Sequence, residues 1–249
     1  PKGRILKELT PILNKVDIIP EKEFFDLSSR KILFSSNKKL IDFIKVRSFD
    51  VVNFVAYGGA HLGIVGLDVI EEFSYEEIYS PVNLGIGSCR LSVAEPFKMA
   101  LKDDPKAWTH LKIATKYPKI TKKHFALRGV QAECLKLNGA LEIAPKLNLS
   151  SRIVDLVSTG KTLKENGLIE VEKIMDITSY LIVNKNMAKT YPNRIRKIIS
   201  NFSFNSDKVL KSYISFSNIL YFSYNFKLSA FFFKIVDNIF PTCLREFIA

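Results

Sequence analysis

Short apolar runs alternate along the chain with longer stretches in which apolar residues recur every three or four positions. Ile32-Leu33-Phe34, Leu62-Gly63-Ile64-Val65, Leu84 to Ile86, Leu91-Ser92-Val93, Leu111-Lys112-Ile113, Ile153 to Val157 and Leu181-Ile182-Val183 read as strands. Asn37 to Val46, Val52 to Gly58, Lys122 to Gly129 and Leu163 to Gly167 read as helices, the last two stopped by glycine at the C-terminus. This alternation predicts an α/β fold. No period of 20 to 50 residues repeats, which argues against a solenoid. Pro81 and Pro118 punctuate the chain without opening a linker, so a two-lobed body with crossing strands fits better than two beads on a string.

Residues 213–249 break the rhythm. They are rich in Phe and Tyr, with Phe231-Phe232-Phe233 among them, and Ser212 to Phe233 carries Lys227 as its only charge. That window is long enough to span a bilayer, but its serines and asparagines dilute it. An amphipathic or β-prone tail packed on the body or on a partner is the preferred reading, and a membrane span is not expected.

Composition narrows the function. With 47% apolar and 25% charged residues in 249, the chain can bury a core and belongs neither to the disordered nor to the collagenous class. Lys+Arg 37 against Asp+Glu 25 leaves +12, which suits anionic partners. Cys89, Cys134 and Cys243 are odd in number and outside any CxxC spacing, so neither a disulfide framework nor a zinc site is encoded, and a reducing cytoplasm is the expected compartment. His110 and His124 lack a third ligand in register, so no protein-held metal is expected. The sequence opens at Pro1 rather than Met and shows no secretory leader.

The segment from Ile153 to Leu163, Ile-Val-Asp-Leu-Val-Ser-Thr-Gly-Lys-Thr-Leu, carries the chemistry. An apolar strand runs into a hydroxyl-rich turn and then a helix, leaving free backbone N–H groups where an anion can sit. Gly160-Lys161-Thr162 invites comparison with a P-loop, but that motif needs glycine where this chain has Asp155. A carboxylate at the strand end followed by hydroxyls and glycine suits a phosphorylated ribose, the acid taking the diol and the loop the 5-phosphate. On pattern alone, an ordinary strand-turn-helix with a Ser/Thr N-cap fits the same residues equally well.

Leu137 to Pro145 and Asp155 to Leu168 closely resemble the ATP phosphoribosyltransferase family, which catalyses the first step of histidine biosynthesis. Other pieces fall in the family's order: Pro1-Lys2-Gly3-Arg4, Arg47 with Asp50, Tyr57 to Gly66 with Asp68, Leu84 to Leu91, Ala114 to Pro118, and Ile174 to Ile177. The resemblance covers about residues 1 to 205.

It implies two α/β lobes like a type II periplasmic binding protein, with the active site in the cleft between them. Residues 1–86 with 178–212 would form one lobe and 87–177 the other, which carries the phosphate loop. The implied reaction transfers the phosphoribosyl group of 5-phosphoribosyl 1-pyrophosphate to N1 of ATP, with substrate-borne Mg2+ leaving on pyrophosphate and inversion at the anomeric carbon. Positioning two polyanions and stabilising the departing charge then matter more than a nucleophile.

By resemblance, Asp155 holds the ribose hydroxyls, and Ser158, Thr159, Gly160, Lys161, Thr162 and Leu163 wrap the 5-phosphate. Lys2 and Arg4 act on polyphosphate as catalytic cations; Gly3, Arg47 and Arg90 are assigned to ATP. Glu142 is assigned to the cleft as acid, base or magnesium contact. The plainer alternatives are solvated terminal charge for Lys2 and Arg4, surface ion pairs for Arg47 and Arg90, and a helix-start carboxylate for Glu142.

Two departures stand out: His61 sits where the family usually has an acid, and the sequence starts at Pro-Lys-Gly-Arg, after the point where the family has an apolar strand. Its loss would expose a neighbour's sheet edge and weaken the cleft. The stretch after Tyr213 is too short for the histidine-sensing domain of the long form. The short form is therefore implied, in a hetero-oligomer with a regulatory subunit resembling histidyl-tRNA synthetase. Two other classes compete: a small-molecule binding module on the same fold, which has no reason to keep the Asp155 to Leu163 loop, and a nucleic-acid binder, which would need a motif the chain lacks.

Overall fold

The computed structural model describes residues 1–26 and 28–204. In chain order the elements are α1 (Arg4–Lys15), β1 (Leu33–Phe34), β2 (Phe43–Ile44), α2 (Ser48–Ala56), β3 (Leu62–Gly66), α3 (Leu67–Phe73), β4 (Ile78–Asn83) and β5 (Cys89–Pro96). There follow α4 (Phe97–Ala100), β6 (His110–Thr115), α5 (Pro118–Ala126), β7 (Gln131–Lys136), β8 (Arg152–Val157), α6 (Lys161–Glu165), β9 (Leu168–Ile177), β10 (Ser179–Asn184), α7 (Lys185–Thr190) and α8 (Pro192–Phe204). The predicted mixed α/β class is what these residues form. The aromatic tail, 213–249, lies outside the described residues; among those described, no helix is long and apolar enough to cross a membrane.

Two main sheets organise the chain. One has the order β3-β10-β4 and the other β7-β6-β8-β5-β9, parallel at β7-β6-β8 and antiparallel around β5. Both are covered on their two faces, because successive side chains of a strand point to opposite sides. On β10, Leu181 joins a core with Leu9 and Leu13 of α1 and Phe202 of α8, whereas Ile182 joins one with Val51, Val52 and Val55 of α2. On β8, Ile153 packs with Leu141, Ala144 and Leu163, and Val154 with Trp108, Ile113 and Phe125. Double coverage explains why these strands read as unbroken apolar runs.

Two predicted elements are corrected. Asn37 to Val46 is a turn followed by β2, which pairs antiparallel with β1. The Ser36 hydroxyl accepts from Lys38 N–H and donates to the Ile41 carbonyl, and Phe43 and Phe34 close on Phe24 at ring distances of 5.3 and 5.2 Å. Tertiary packing of aromatics overrides the helical spacing there. Leu84 to Ile86 is a crossover between the sheets, not a strand. Asn83 Oδ1 accepts from Gly85 N–H at 2.9 Å and turns the chain out of the ladder, and the strand lies earlier, in β4. Pro81 falls within β4 beside its register shift, on a sheet edge where no donor is needed.

Two carboxylates join the elements around the second sheet. Glu72 of α3, buried, accepts from the backbone N–H groups of Lys119 and Ile120 at 3.0 Å each, capping α5 from another helix. Asp68 meets the hydroxyl of Tyr117 at 2.8 Å, and burial raises its carboxyl above the ordinary range. Gly66 makes this possible, since a Cβ there would stand 2.1 Å from Asp68 Oδ1. Gly66→Ala is expected to cost roughly 1–3 kcal/mol, the scale of overpacking, because Asp68 cannot withdraw without losing Tyr117. Urea unfolding checks this: a midpoint equal to wild type would show that the helix start yields freely.

Candidate active site

β8 opens toward solvent part-way along its length, before closing again at buried Val157. Arg152, Ile153 and Val154 are buried, Asp155 is partly exposed, and the chain leaves the sheet through Ser158-Thr159-Gly160 into α6. Asp155 lies opposite Ser92 of β5, and one of its oxygens accepts from Leu156 N–H at 2.7 Å. Gly160 takes the left-handed region (φ 75) and caps α6 with no side-chain hydrogen bond. The Ser/Thr N-cap of an ordinary turn is therefore not what this loop forms. A Cβ at Gly160 would meet nothing closer than 3.9 Å, so the glycine is needed for its φ rather than for space.

Asp155 through Leu163, with Glu142, line an open pocket of about 350 Å³. That volume is near the small end for ligand sites and suits a phosphorylated sugar. Within it, the backbone N–H groups of Ser158, Thr159, Gly160, Thr162 and Leu163 meet no acceptor among the described residues, while that of Lys161 reaches Thr159 Oγ1 at 3.4 Å. Unpaired N–H groups on residues that line one hollow are the chemistry an anion site needs. Lys161 is exposed and lies 3.8 Å from Glu165, a surface contact of little worth to stability.

The electrostatics of the pocket centre on Asp155. Desolvation by burial pushes its carboxyl up to about 6, with nearby Glu142 adding to the rise, and the Leu156 N–H and Lys116 opposing it. Glu142 itself sits in the first turn of the short 3-10 helix Leu141–Ile143.

The remaining candidates divide. Arg4, at the start of α1, donates from Nη1 to Ser158 Oγ at 3.0 Å and from Nη2 to the Gly87 carbonyl at 2.9 Å. Arg90 reaches the Ser158 carbonyl from Nη1 at 3.3 Å, but its other nitrogens are taken by Glu170. Lys2 N–H donates to the Val46 carbonyl at 2.9 Å, which ties the Lys2-Gly3 segment beside Arg47. Lys2, Gly3 and Arg47 are exposed and are not part of the pocket lining, and Arg47 precedes α2 with its side chain unpaired among the described residues.

Sequence reasoning assigned no role to Lys116, Tyr117 or Glu170. Lys116 stands 4.1 Å over the Phe49 ring and acts on both Asp155 and Asp68. The signal was present in Ala114 to Pro118, but only the fold shows which carboxylates these residues approach.

A profile of the ATP phosphoribosyltransferase family matches residues 47–203. The chain belongs to the ATP phosphoribosyltransferase family. It is 58% identical over 202 residues to "ATP phosphoribosyltransferase" of Rhizorhabdus wittichii, covering 81% of this chain and 91% of that one. The namesake of Paramagnetospirillum magneticum is also 58% identical, over 81% and 92%. Among solved structures, "ATP phosphoribosyl transferase (HisG:HisZ) complex from Thermotoga maritima" superposes with a TM-score of 0.69 at 28% identity, covering 84% of this chain and 96% of that one. Membership in an ATP phosphoribosyltransferase family favours a pentosyltransferase over a binding module without catalysis. Arg47 opens the profile match, while Lys2, Gly3 and Arg4 precede it.

Because the Asp155 carboxyl is pushed from 3.8 to about 6 on folding, its contribution to stability is full below pH 4 and is lost as pH rises through 6. Ionised, it costs on the order of 3 kcal/mol. Asp155→Asn keeps an oxygen for the Leu156 N–H and removes the charge. It is expected to raise Tm by several degrees at pH 8 while leaving it near wild type at pH 4. Equal melting at pH 8 would refute the buried-charge account.

Proposed function

We propose that this chain transfers the phosphoribosyl group of 5-phosphoribosyl 1-pyrophosphate to N1 of ATP, with pyrophosphate as the leaving group. The observation that carries the site assignment is the pocket: a desolvated carboxylate, Asp155, beside five unpaired backbone N–H groups on the loop that follows it. In this reading Asp155 accepts hydrogen bonds from the ribose hydroxyls. Ser158, Thr159, Gly160, Lys161, Thr162 and Leu163 enclose the 5-phosphate, which accepts from the unpaired N–H groups.

The reaction is an in-line displacement. The adenine N1 lone pair forms a bond to the anomeric carbon as the bond to the pyrophosphate oxygen breaks, and the configuration inverts. Charge builds on the leaving pyrophosphate, which carries Mg2+ as part of the substrate. Arg4 already stands at the loop through Ser158, and Lys2 and Arg47 are joined to it through the start of α1 and the Lys2–Val46 hydrogen bond. These three cations are read as ligands of pyrophosphate and triphosphate, with Gly3 allowing close approach to ATP. Fixed charges of this kind lower the barrier most where water is excluded. Glu142, which also lines the pocket, is read as an acid, base or contact for substrate-borne magnesium.

The two sheets are read as two lobes of periplasmic-binding-protein-like form, 1–86 with 178–212 and 87–177, with the substrates between them. A hetero-oligomer with a regulatory subunit resembling histidyl-tRNA synthetase is part of this proposal, supported by the likeness to the HisG:HisZ complex. A cytoplasmic location fits the unpaired thiols of Cys89 and Cys134.

The test is phosphoribosyl-ATP formation from ATP, 5-phosphoribosyl 1-pyrophosphate and magnesium, with and without such a subunit. Product is expected with the subunit; no product in either mixture overturns the assignment. Asp155→Ala should weaken phosphoribosyl pyrophosphate binding by about 1.5–3 kcal/mol, roughly 10- to 150-fold. Unchanged affinity by titration calorimetry would remove the ribose role.

A further inference from the structure

Arg90 has little freedom to reach a substrate. Its Nε donates to Glu170 Oε1 at 2.6 Å and its Nη2 to Oε2 at 2.5 Å, so the planar guanidinium is locked in register with the carboxylate. Ser92, two residues along β5 on the same face, donates its hydroxyl to Glu170 Oε1 at 2.8 Å and is fully buried. Once both prongs and the carboxylate are fixed, the direction of the third nitrogen is fixed too. Nη1 then meets the Ser158 carbonyl at 3.3 Å.

Ser158 is thus held at both of its oxygens, the carbonyl by Arg90 from β5 and the hydroxyl by Arg4 from α1. It is the first residue of the loop whose N–H groups are unpaired. A shift of its carbonyl would rotate the peptide that follows and change where the Thr159 N–H points. The pair stays charged near neutral pH, since Arg90 holds the Glu170 carboxyl below its usual range. For Arg90 to bind a triphosphate, as the sequence suggested, it would have to leave both oxygens of Glu170.

We infer that Glu170 is a positioning residue, which aims Arg90 at the Ser158 carbonyl and so sets the geometry of the loop that receives the 5-phosphate. This rests on the phosphoribosyl pyrophosphate reading of the loop. It makes Arg90 an anchor of the loop rather than a ligand of ATP, and it gives Ser92 the task of fixing Glu170.

The experiment is titration calorimetry of magnesium phosphoribosyl pyrophosphate into the full chain, as wild type, Glu170→Gln, Ser92→Ala, Arg90→Lys and Glu170→Gln/Arg90→Lys. Steady-state kinetics are run beside it with the regulatory subunit. Glu170→Gln is expected to weaken phosphoribosyl pyrophosphate binding by about tenfold, the scale of a lost outer partner. Its KM for that substrate should rise in parallel, with kcat and the KM for ATP changed by less than about twofold.

The double variant should bind as Arg90→Lys alone does, because Glu170 acts through Arg90. A rise in the KM for ATP with phosphoribosyl pyrophosphate binding intact would return Arg90 to the nucleotide and overturn the inference. Additive losses in the double variant would also overturn it. Should Glu170→Gln not fold, Ser92→Ala carries the test, with a loss in the same direction supporting the inference and wild-type affinity refuting it. Absence of binding by the wild type would bring down the phosphate-loop reading itself, whereas wild-type binding with no effect in Glu170→Gln would bring down the inference alone.

Discussion

A strand covered on both faces can offer a charge to solvent only where its cover opens, and a charge inside the cover needs a partner. β8 is such a strand: Ile153 and Val154 enter different cores, and the first polar side chain with access to solvent is Asp155. Its position directly after Ile153 and Val154 is therefore a consequence of packing as much as of chemistry. Desolvation by the same cores raises its carboxyl, and the backbone from Ser158 onward, past the end of β8, has no sheet partner to take its N–H groups. One geometric constraint thus yields a half-buried acid followed by a row of free donors, the two halves of the phosphosugar site we propose.

The loop is held in place from outside. Arg4 comes from the first helix and Arg90 from the neighbouring strand, and both end on Ser158. Charge-assisted bonds from rigid elements are a cheap way to order an exposed loop, since the side chains that make them are already fixed by helix and sheet. The surplus of Lys and Arg over acidic residues has a local counterpart here, where two guanidiniums hold Ser158 at the edge of a pocket lined by Asp155 and Glu142.

Elsewhere buried acids join the layers. Glu72 caps α5 from α3, and Asp68 ties α3 to Tyr117 at the end of β6. Arg152 at the start of β8 lies 2.7 Å from Glu95 and 2.6 Å from Asp103, with its guanidinium 4.5 Å over the Trp108 ring. Removing one member of such a set leaves the others buried and unpaired, which is why these pairs specify one arrangement even where their net contribution to stability is small.

The apolar runs at Ile153 to Val157 and Leu181 to Val183, and the hydroxyl-rich turn after Asp155, were legible in the sequence because periodicity and turn chemistry are local properties. So was the order of motifs that marked the family. What misled was also local: Asn37 to Val46 has helical spacing, yet Phe43 is drawn into a hairpin by Phe24 and Phe34, which lie outside that window. Our proposal for Arg90 turns on the same kind of distant contact. As a residue type it suits a triphosphate, but Glu170 stands 80 positions away in sequence and only the pairing of β9 with β5 brings it within 2.6 Å. The sequence by itself determined the α/β class, the loop and the residue types in it; the tertiary structure decided which cations are free to meet a ligand and which are already committed. The reason is that charge pairing depends on distance through space, and a strand's neighbours in a sheet are not its neighbours in the chain.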